Sequence, residues 1–246
     1  MLKKMSCQVL SVEEIQGKVY QVNLLLPDGE TQSFNAGQYL SIDLNGQSEP
    51  SFFSIASRPG ISELTLHIQA SPHNISAIQT IRILQKRMDD QLAITISMPF
   101  GVACLGKLPT KSLILIAAGT GFAQMKSIID YLLHSEFTHN ISLYWGVRKQ
   151  AEMYMAQVVE TLAQEHSNFH FKAVVAEIDN IVDTEHHNLL SDAVLSDDAE
   201  LEDNLVFVSG SPKLVFSTMD ALTKEGLPKN QFYSDVLEYA SAESDS

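Results

Sequence analysis

The chain has 246 residues, enough for two modest domains, and 45% of them are hydrophobic, enough for a substantial core. Lysine and arginine total 16 against 30 acidic residues, a formal charge of −14, which argues against nucleic acid or an anionic membrane as partner. The two cysteines, Cys7 and Cys104, are far apart, offer no C-x-x-C ligand pair for a metal or iron–sulfur cluster, and fit a reducing compartment.

The N-terminal Met1-Leu-Lys-Lys-Met-Ser6 is basic but is followed by no apolar region, so it does not read as a signal peptide. No apolar run approaches the ~20 residues of a membrane span, and the expectation is a cytoplasmic protein. Val19–Leu26 is rich in β-formers and stops at the turn signal Pro27-Asp-Gly29. Phe34-Asn-Ala-Gly-Gln-Tyr-Leu40 leads into Ser41–Leu44, which alternates apolar and polar residues before the turn pair Asn45-Gly46. Phe52–Ser57, Leu64–Ile68 and Gln91–Ser97 read as further strands, closed by Arg58-Pro-Gly60 and Pro99-Phe-Gly101. One helix, about Ile75–Met88, interrupts them with Ile78, Ile81 and Leu84 on one face. Short, evenly spaced strands with Gly/Pro turns suggest a small antiparallel barrel over residues 1–107.

Within this half, Phe53-Ser-Ile-Ala-Ser57 places hydroxyls at alternate positions beside an aromatic. A flavin ring needs an apolar slot with a few polar groups aimed at its N5 and pyrimidine edge. From the pattern alone an ordinary strand with serines on its wet face is the favoured reading.

Pro109-Thr-Lys111 marks a linker, and from residue 108 to 246 strands and helices alternate. Leu113–Ile116 precedes a helix over 122–133; Ile141–Val147 precedes a helix from about Gln150 to Gln164. Phe169–Val175 is followed by a polar loop and a short helix near Asn188–Leu195. Leu205–Val208 leads through Ser209-Gly-Ser-Pro212 to a helix over 213–224, and Phe232–Val236 reads as a last strand. This order predicts a parallel α/β domain, whose ligands sit at the carboxyl ends of strands. Those ends are Gly119–Gly121, Gly146–Arg148 and Ser209–Pro212, all with glycine.

The turn Gly119-Thr-Gly121 sits between a buried strand and a helix start, where backbone N–H groups and a positive dipole end suit a dinucleotide pyrophosphate. The usual fingerprint is G-x-G-x-x-G, and Gln124 holds the third glycine's place, so a tight turn without ligand reads from the same residues. The acidic run Asp183–Asp203 contains His186-His187 but lacks metal-ligand spacing, and reads as a solvated surface; no metal is expected. No Ser/His/Asp order or nucleophile elbow is present, and the acidic tail Ala240–Ser246 reads as frayed.

Taken together these segments resemble the ferredoxin–NADP reductase superfamily, and within it the bacterial NAD(P)H:flavin oxidoreductases. Phe34-x-Ala-Gly-Gln-Tyr-Leu40, Phe53-Ser-Ile-Ala-Ser57, Leu66-His-Ile68, Pro99-x-Gly101, Ala118-Gly-Thr-Gly-Phe122, Tyr144-Trp-Gly-x-Arg148 and Ser209-Gly210 fall in that family's order. The resemblance implies an N-terminal antiparallel β-barrel flavin domain, residues 1–107, followed by a parallel α/β NAD(P) domain, residues 108–246. It implies reduction of free riboflavin, FMN or FAD by hydride from NADH or NADPH, with the flavin an exchangeable substrate. Ser54 matches the serine at the flavin N5; Phe53, Ile55 and Ala56 match residues lining the flavin ring. Ala118, Gly119, Thr120, Gly121 and Phe122 match the nicotinamide-nucleotide loop, and Gly210 the glycine beside the nicotinamide. Arg148 and Lys149 leave room for a 2′-phosphate where the usual NAD pattern has an acid, or else solvate a loop.

Two departures stand out. Ser51 holds the place of a family arginine that pairs with flavin phosphate, which implies loose flavin binding, and Ser209 that of a superfamily cysteine. Two further readings remain: a flavin-retaining reductase that feeds a flavin-using or electron-accepting protein, and a non-catalytic nucleotide-binding relative.

Overall fold

The computed structural model describes residues 2–30, 34–44, 50–176, 183–197 and 200–238, with backbone alone for 183–187. Asn45-Gly46, the side chains of His186 and His187, and the tail 240–246 lie outside the described residues. The chain divides into two compact units, residues 1–106 with 126–135, and residues 107–125 with 136–246.

The first unit is an antiparallel sheet. Its strands are β1 (Lys3–Gln16), β2 (Val19–Leu25), β3 (Tyr39–Asp43), β4 (Ser51–Ser54), β5 (Glu63–Gln69) and β6 (Ile94–Phe100), ordered β4-β3-β6-β1-β2-β5. The antiparallel bridge Ile55–Leu66 joins the two ends of this order, and Ala56 N donates to Thr65 O at 2.7 Å, rolling the sheet into a barrel. Val22, Leu24, Leu40, Ile42, Ile55, Leu64, Leu66 and Ile96 fill its interior.

The longest strand, β1, is missed by the sequence reading. Its first half pairs with β6 and its second half with β2, so it serves two neighbours in turn. Only Cys7 and Val9 are fully buried along it; Leu10 beside them is exposed and the register shifts between Val9 and Ser11, which breaks the alternation. The helix α1 (Ile75–Asp89) lies close to the expected span. The Asn74 side chain caps it by accepting from Ala77 N at 3.1 Å, and Lys86 and Arg87 sit in its last turn, where cations favour the dipole. Strand β6 starts later than expected because Gln91 takes a left-handed backbone, φ 54°.

The second unit holds a parallel sheet. Strands β7 (Ser112–Ala118), β8 (Ile141–Val147), β9 (Phe169–Val175), β10 (Asn204–Ser209) and β11 (Phe232–Tyr233) are ordered β11-β10-β7-β8-β9. The helices are α2 (Phe122–His134), α3 (Ala156–Glu165), α4 (Asp183–Asp197) and α5 (Pro212–Lys224). Residues Leu113–Ala117 are wholly buried, as a central strand covered on both faces requires. The helix expected from Gln150 begins instead at Ala156, after a 3-10 turn over Gln150–Glu152. Strand β11 ends at Tyr233, three residues short of the expected end. Sequence order runs outward from β7 to β8 and β9 on one side, then returns to β10 and β11 on the other. The strands therefore diverge in order between β7 and β10, the place where open parallel sheets bind ligands.

Candidate functional sites

In the second unit, β7, β8 and β10 end at Ala118, Val147 and Ser209, so the three glycine-bearing segments all lie at carboxyl ends. Ala117 pairs with Ser209 across the β7–β10 boundary. Beyond it, Gly119–Gly121 forms one 3-10 turn that leads into α2. A Cβ built on Gly121 would lie 2.4 Å from Ser209 O, and one on Gly210 would lie 2.4 Å from Leu214 Cδ2 and 3.2 Å from Ala118 Cβ. At Gly121 a larger residue would therefore need the backbone to shift, whereas at Gly210 the Leu214 side chain would have to move aside. Ser211 then caps α5, accepting from Leu214 N at 3.4 Å, with Pro212 in its first turn. Two helices thus start beside this cradle, one after each strand, which suits an anionic diphosphate.

The residues named from sequence sit unequally here. Gly119, Thr120, Gly121, Ala118 and Gly210 gather at the cradle. The Phe122 ring is fully buried, stacked on Trp145 with centroids 4.0 Å apart and planes 12° apart, so only its backbone faces the loop. Arg148 is exposed after β8, and its backbone N–H donates to Glu152 Oε2 at 3.1 Å. Sequence reasoning passed over the role of Trp145, whose Nε1–H donates to Gly119 O at 2.9 Å. It also took Gln124 as a defect in the fingerprint. Gln124 is buried, and its Nε2 donates to Asp235 Oδ2 at 3.0 Å.

In the first unit, Ser54 pairs across the ladder with Tyr39, and Tyr39 in turn pairs with Phe100. Alternation along β4 puts Phe52 on the Ser54 face and Phe53 on the other. Phe52, 54% exposed, stands edge-on to Tyr39 at 5.9 Å and to Phe100 at 5.5 Å, while Tyr39 and Phe100 stack at 5.5 Å. The outer face of the barrel therefore carries three aromatic rings around the Ser54 hydroxyl, which has no hydrogen-bond partner among the described residues. Phe53 and Ile55 pack in the barrel interior, away from this face, and Ala56 is buried. Tyr39, Phe52 and Phe100 escaped the sequence reading, although the period of two along β4 was enough to bring Phe52 beside Ser54.

Below the continuation of β4, Ser127 Oγ donates to Ser57 O at 2.7 Å and accepts from Gly37 N at 3.3 Å. Nearby lies a partly buried polar cluster. Lys126 pairs with Asp130, burial raises the Asp130 carboxyl, and burial with the Lys126 charge pushes His67 down to about 4. His67 is thus neutral at pH 7. Among the described residues no group of three or more His, Cys, Asp or Glu side chains is placed to hold a metal.

Residues 115–220 match the oxidoreductase NAD-binding domain family. The chain is 32% identical to an NAD(P)H-flavin reductase of Vibrio harveyi over 92% of its own length and 94% of the relative's. The chain belongs to the NAD(P)H-flavin reductase family. It is also 32% identical to reductase component 1 of a terephthalate 1,2-dioxygenase from Comamonas, over 96% of this chain and 68% of that one. Among solved structures it resembles an Amycolatopsis cytochrome P450 reductase, with TM-score 0.77 and 22% identity, over 95% of this chain and 69% of the other. A ferredoxin-NADP+ reductase from Plasmodium falciparum gives TM-score 0.73 at 15% identity, over 94% and 95% of the two chains. These likenesses carry the fold: an antiparallel barrel and a parallel α/β sheet. No helix among the described residues is long and apolar enough to cross a membrane.

Proposed function

We propose that this protein is an NAD(P)H:flavin oxidoreductase of the cytoplasm that reduces free riboflavin, FMN or FAD. Residues 1–107 serve the flavin and residues 108–246 the nicotinamide nucleotide. The observation that carries the reading is the glycine cradle where β7 and β10 part, in a chain that matches a flavin reductase over nearly its whole length. Both cysteines are free, which supports a reducing compartment.

Bound nicotinamide and flavin supply the chemistry, a hydride passing from C4 of the one to N5 of the other. The chain's own part is to bind, orient and exclude water. Gly119–Gly121 offers backbone N–H groups to the pyrophosphate, and Gly121 and Gly210 let the loop pack closely on the ends of β10 and α5 beside it. Arg148, exposed at the end of β8, is the candidate partner of a 2′-phosphate. Tyr39, Phe52 and Phe100 present apolar area to a planar ring, and the Ser54 hydroxyl donates toward its N5 edge. No side chain in this scheme gains or loses a proton; orientation supplies the acceleration. Ser51 leaves the barrel face without a cation at the place of the family arginine, which favours a flavin that exchanges.

The test is anaerobic oxidation of NADH and NADPH followed at 340 nm, with and without riboflavin or FMN. Rapid oxidation only with added flavin is expected, and no oxidation with any flavin sinks the reading. The likeness to a dioxygenase reductase component supports a second reading, a retained flavin that feeds a protein oxidant. Purified protein that is yellow and does not reduce added flavin would establish that one.

A further inference from the structure

The tryptophan Trp145, the chain's sole one, is fully buried under the nucleotide loop. Its ring is held on two sides, stacked on Phe122 and edge-on to Tyr154 at 5.2 Å and 84°, while Tyr154 stands edge-on to Phe122 at 6.0 Å. Such a frame leaves the indole one orientation. An indole N–H is a donor that must find a partner when buried, and it finds Gly119 O at 2.9 Å. The same oxygen also accepts from the backbone N–H of Phe122. Both of its lone pairs are then engaged from the protein side.

That arrangement fixes a peptide plane. In a trans peptide the N–H points opposite to the C=O. With Gly119 O turned in to Trp145, the N–H of Thr120 is turned out, away from β8 and toward the space beyond the carboxyl end of β7. As an early residue of the turn, this N–H has no acceptor within its own helix. Gly119 has φ 53°, so the plane is held in a backbone region that a residue with Cβ resists.

We infer that Trp145 is a positioning residue for coenzyme binding: its N–H holds the Gly119–Thr120 peptide so that the Thr120 N–H meets the pyrophosphate of the nicotinamide nucleotide. The inference rests on the nucleotide-binding reading above. Its advantage is pre-organisation, since an amide already aimed at the anion needs no reordering when the ligand arrives. Phenylalanine at this position would keep the stacking on Phe122 and lose the N–H, which makes the indole nitrogen, rather than the ring, the feature in question.

The experiment uses full-length protein labelled with 15N and titrated with ADP-ribose, without flavin. In the wild type the Thr120 amide proton should move downfield as ADP-ribose saturates. In Trp145→Phe that movement should shrink, and the ADP-ribose Kd and the KM for NADH or NADPH should each rise about tenfold, while kcat and flavin KM stay within twofold. A Thr120 amide that ADP-ribose leaves unmoved in the wild type overturns the inference, even if the variant fails to fold. So does a variant whose kcat and flavin KM deteriorate as much as its coenzyme KM, since that is the pattern of a loosened fold. A Thr120 shift in the wild type that the variant loses, in a protein that cannot reduce flavin, would uphold the positioning role and remove the reductase reading.

Discussion

The Gln124 side chain donates from Nε2 to Asp235 Oδ2 at 3.0 Å, tying the first turn of α2 to the segment that follows β11. Gln124 is 3% exposed, so its amide would be left under-satisfied if the carboxylate were removed. Gln124→Ala should lower the free energy of unfolding by about 1.5–3 kcal/mol, the range for a hydrogen bond to a charged group. Asp235→Asn keeps an acceptor oxygen and should cost less than half of that. Urea denaturation of both variants checks this, and equal losses would show that the tie carries no weight.

The two glycines of the loop should respond differently to alanine. Gly119→Ala meets nothing within 4 Å, but its φ of 53° puts a Cβ in a disfavoured region, at a cost of about 1 kcal/mol. Gly121→Ala drives a methyl to 2.4 Å from Ser209 O, and the strand or the loop must shift. The expected result is a stability loss of about 1–3 kcal/mol and a coenzyme KM raised tenfold or more. Thermal melts beside steady-state kinetics separate the two, and a Gly121→Ala enzyme with ordinary coenzyme KM contradicts the cradle.

On the barrel face, Ser54→Ala should reduce kcat roughly tenfold, the equivalent of about 1.4 kcal/mol of transition-state stabilisation, without changing Tm. Phe52→Ala should instead raise the flavin KM several-fold, because its ring is 54% exposed and contributes little to the interior. Phe53→Ala, removing a ring packed on the barrel interior, should mainly destabilise. If Phe53→Ala rather than Phe52→Ala impaired flavin binding, the aromatic face would be misassigned.

The pH dependence of stability has a sign set by His67. Its folded value is depressed to about 4 from 6.5, so the unfolded chain binds more protons between those values. Stability from this group is complete above about pH 6.5 and is lost as pH falls to about 4, amounting to roughly 3 kcal/mol. Asp130, whose carboxyl is raised by burial, works in the opposite direction over the lower part of that window, against the Lys126 and Arg58 charges that hold it down. The difference between wild type and His67→Gln, from denaturant unfolding at pH 7 and pH 4.5, isolates the histidine. The variant should show the flatter profile.

Most of the fold was legible because its signals are local. The run Leu113–Ile116 could only be a strand covered on both faces, and the glycines after it could only be a turn. β1 was not legible, since a strand that changes partner midway and buries two residues has no strong period. The site was legible as a set of positions, less so as directions. Phe53 was set beside Ser54 at the ring by the family resemblance, while in the fold its ring packs against the barrel interior. Gln124 and Trp145 were beyond reach for another reason: their partners, Asp235 and Gly119 O, are distant in sequence or belong to the backbone.

Residues 126–135, most of α2 and the residue after it, group with the barrel rather than with the sheet that the helix follows. Ser127 answers two backbone groups of the barrel, Ser57 O and Gly37 N, and a Cβ on Gly37 would lie 3.1 Å from the Ile128 side chain. A fragment ending near residue 107 would leave those groups to water, and one beginning there would carry α2 with Ser127 and Ile128 stripped of these contacts. The protein is therefore not a pair of interchangeable cassettes: grafting a barrel from a relative means grafting the middle of α2 with it.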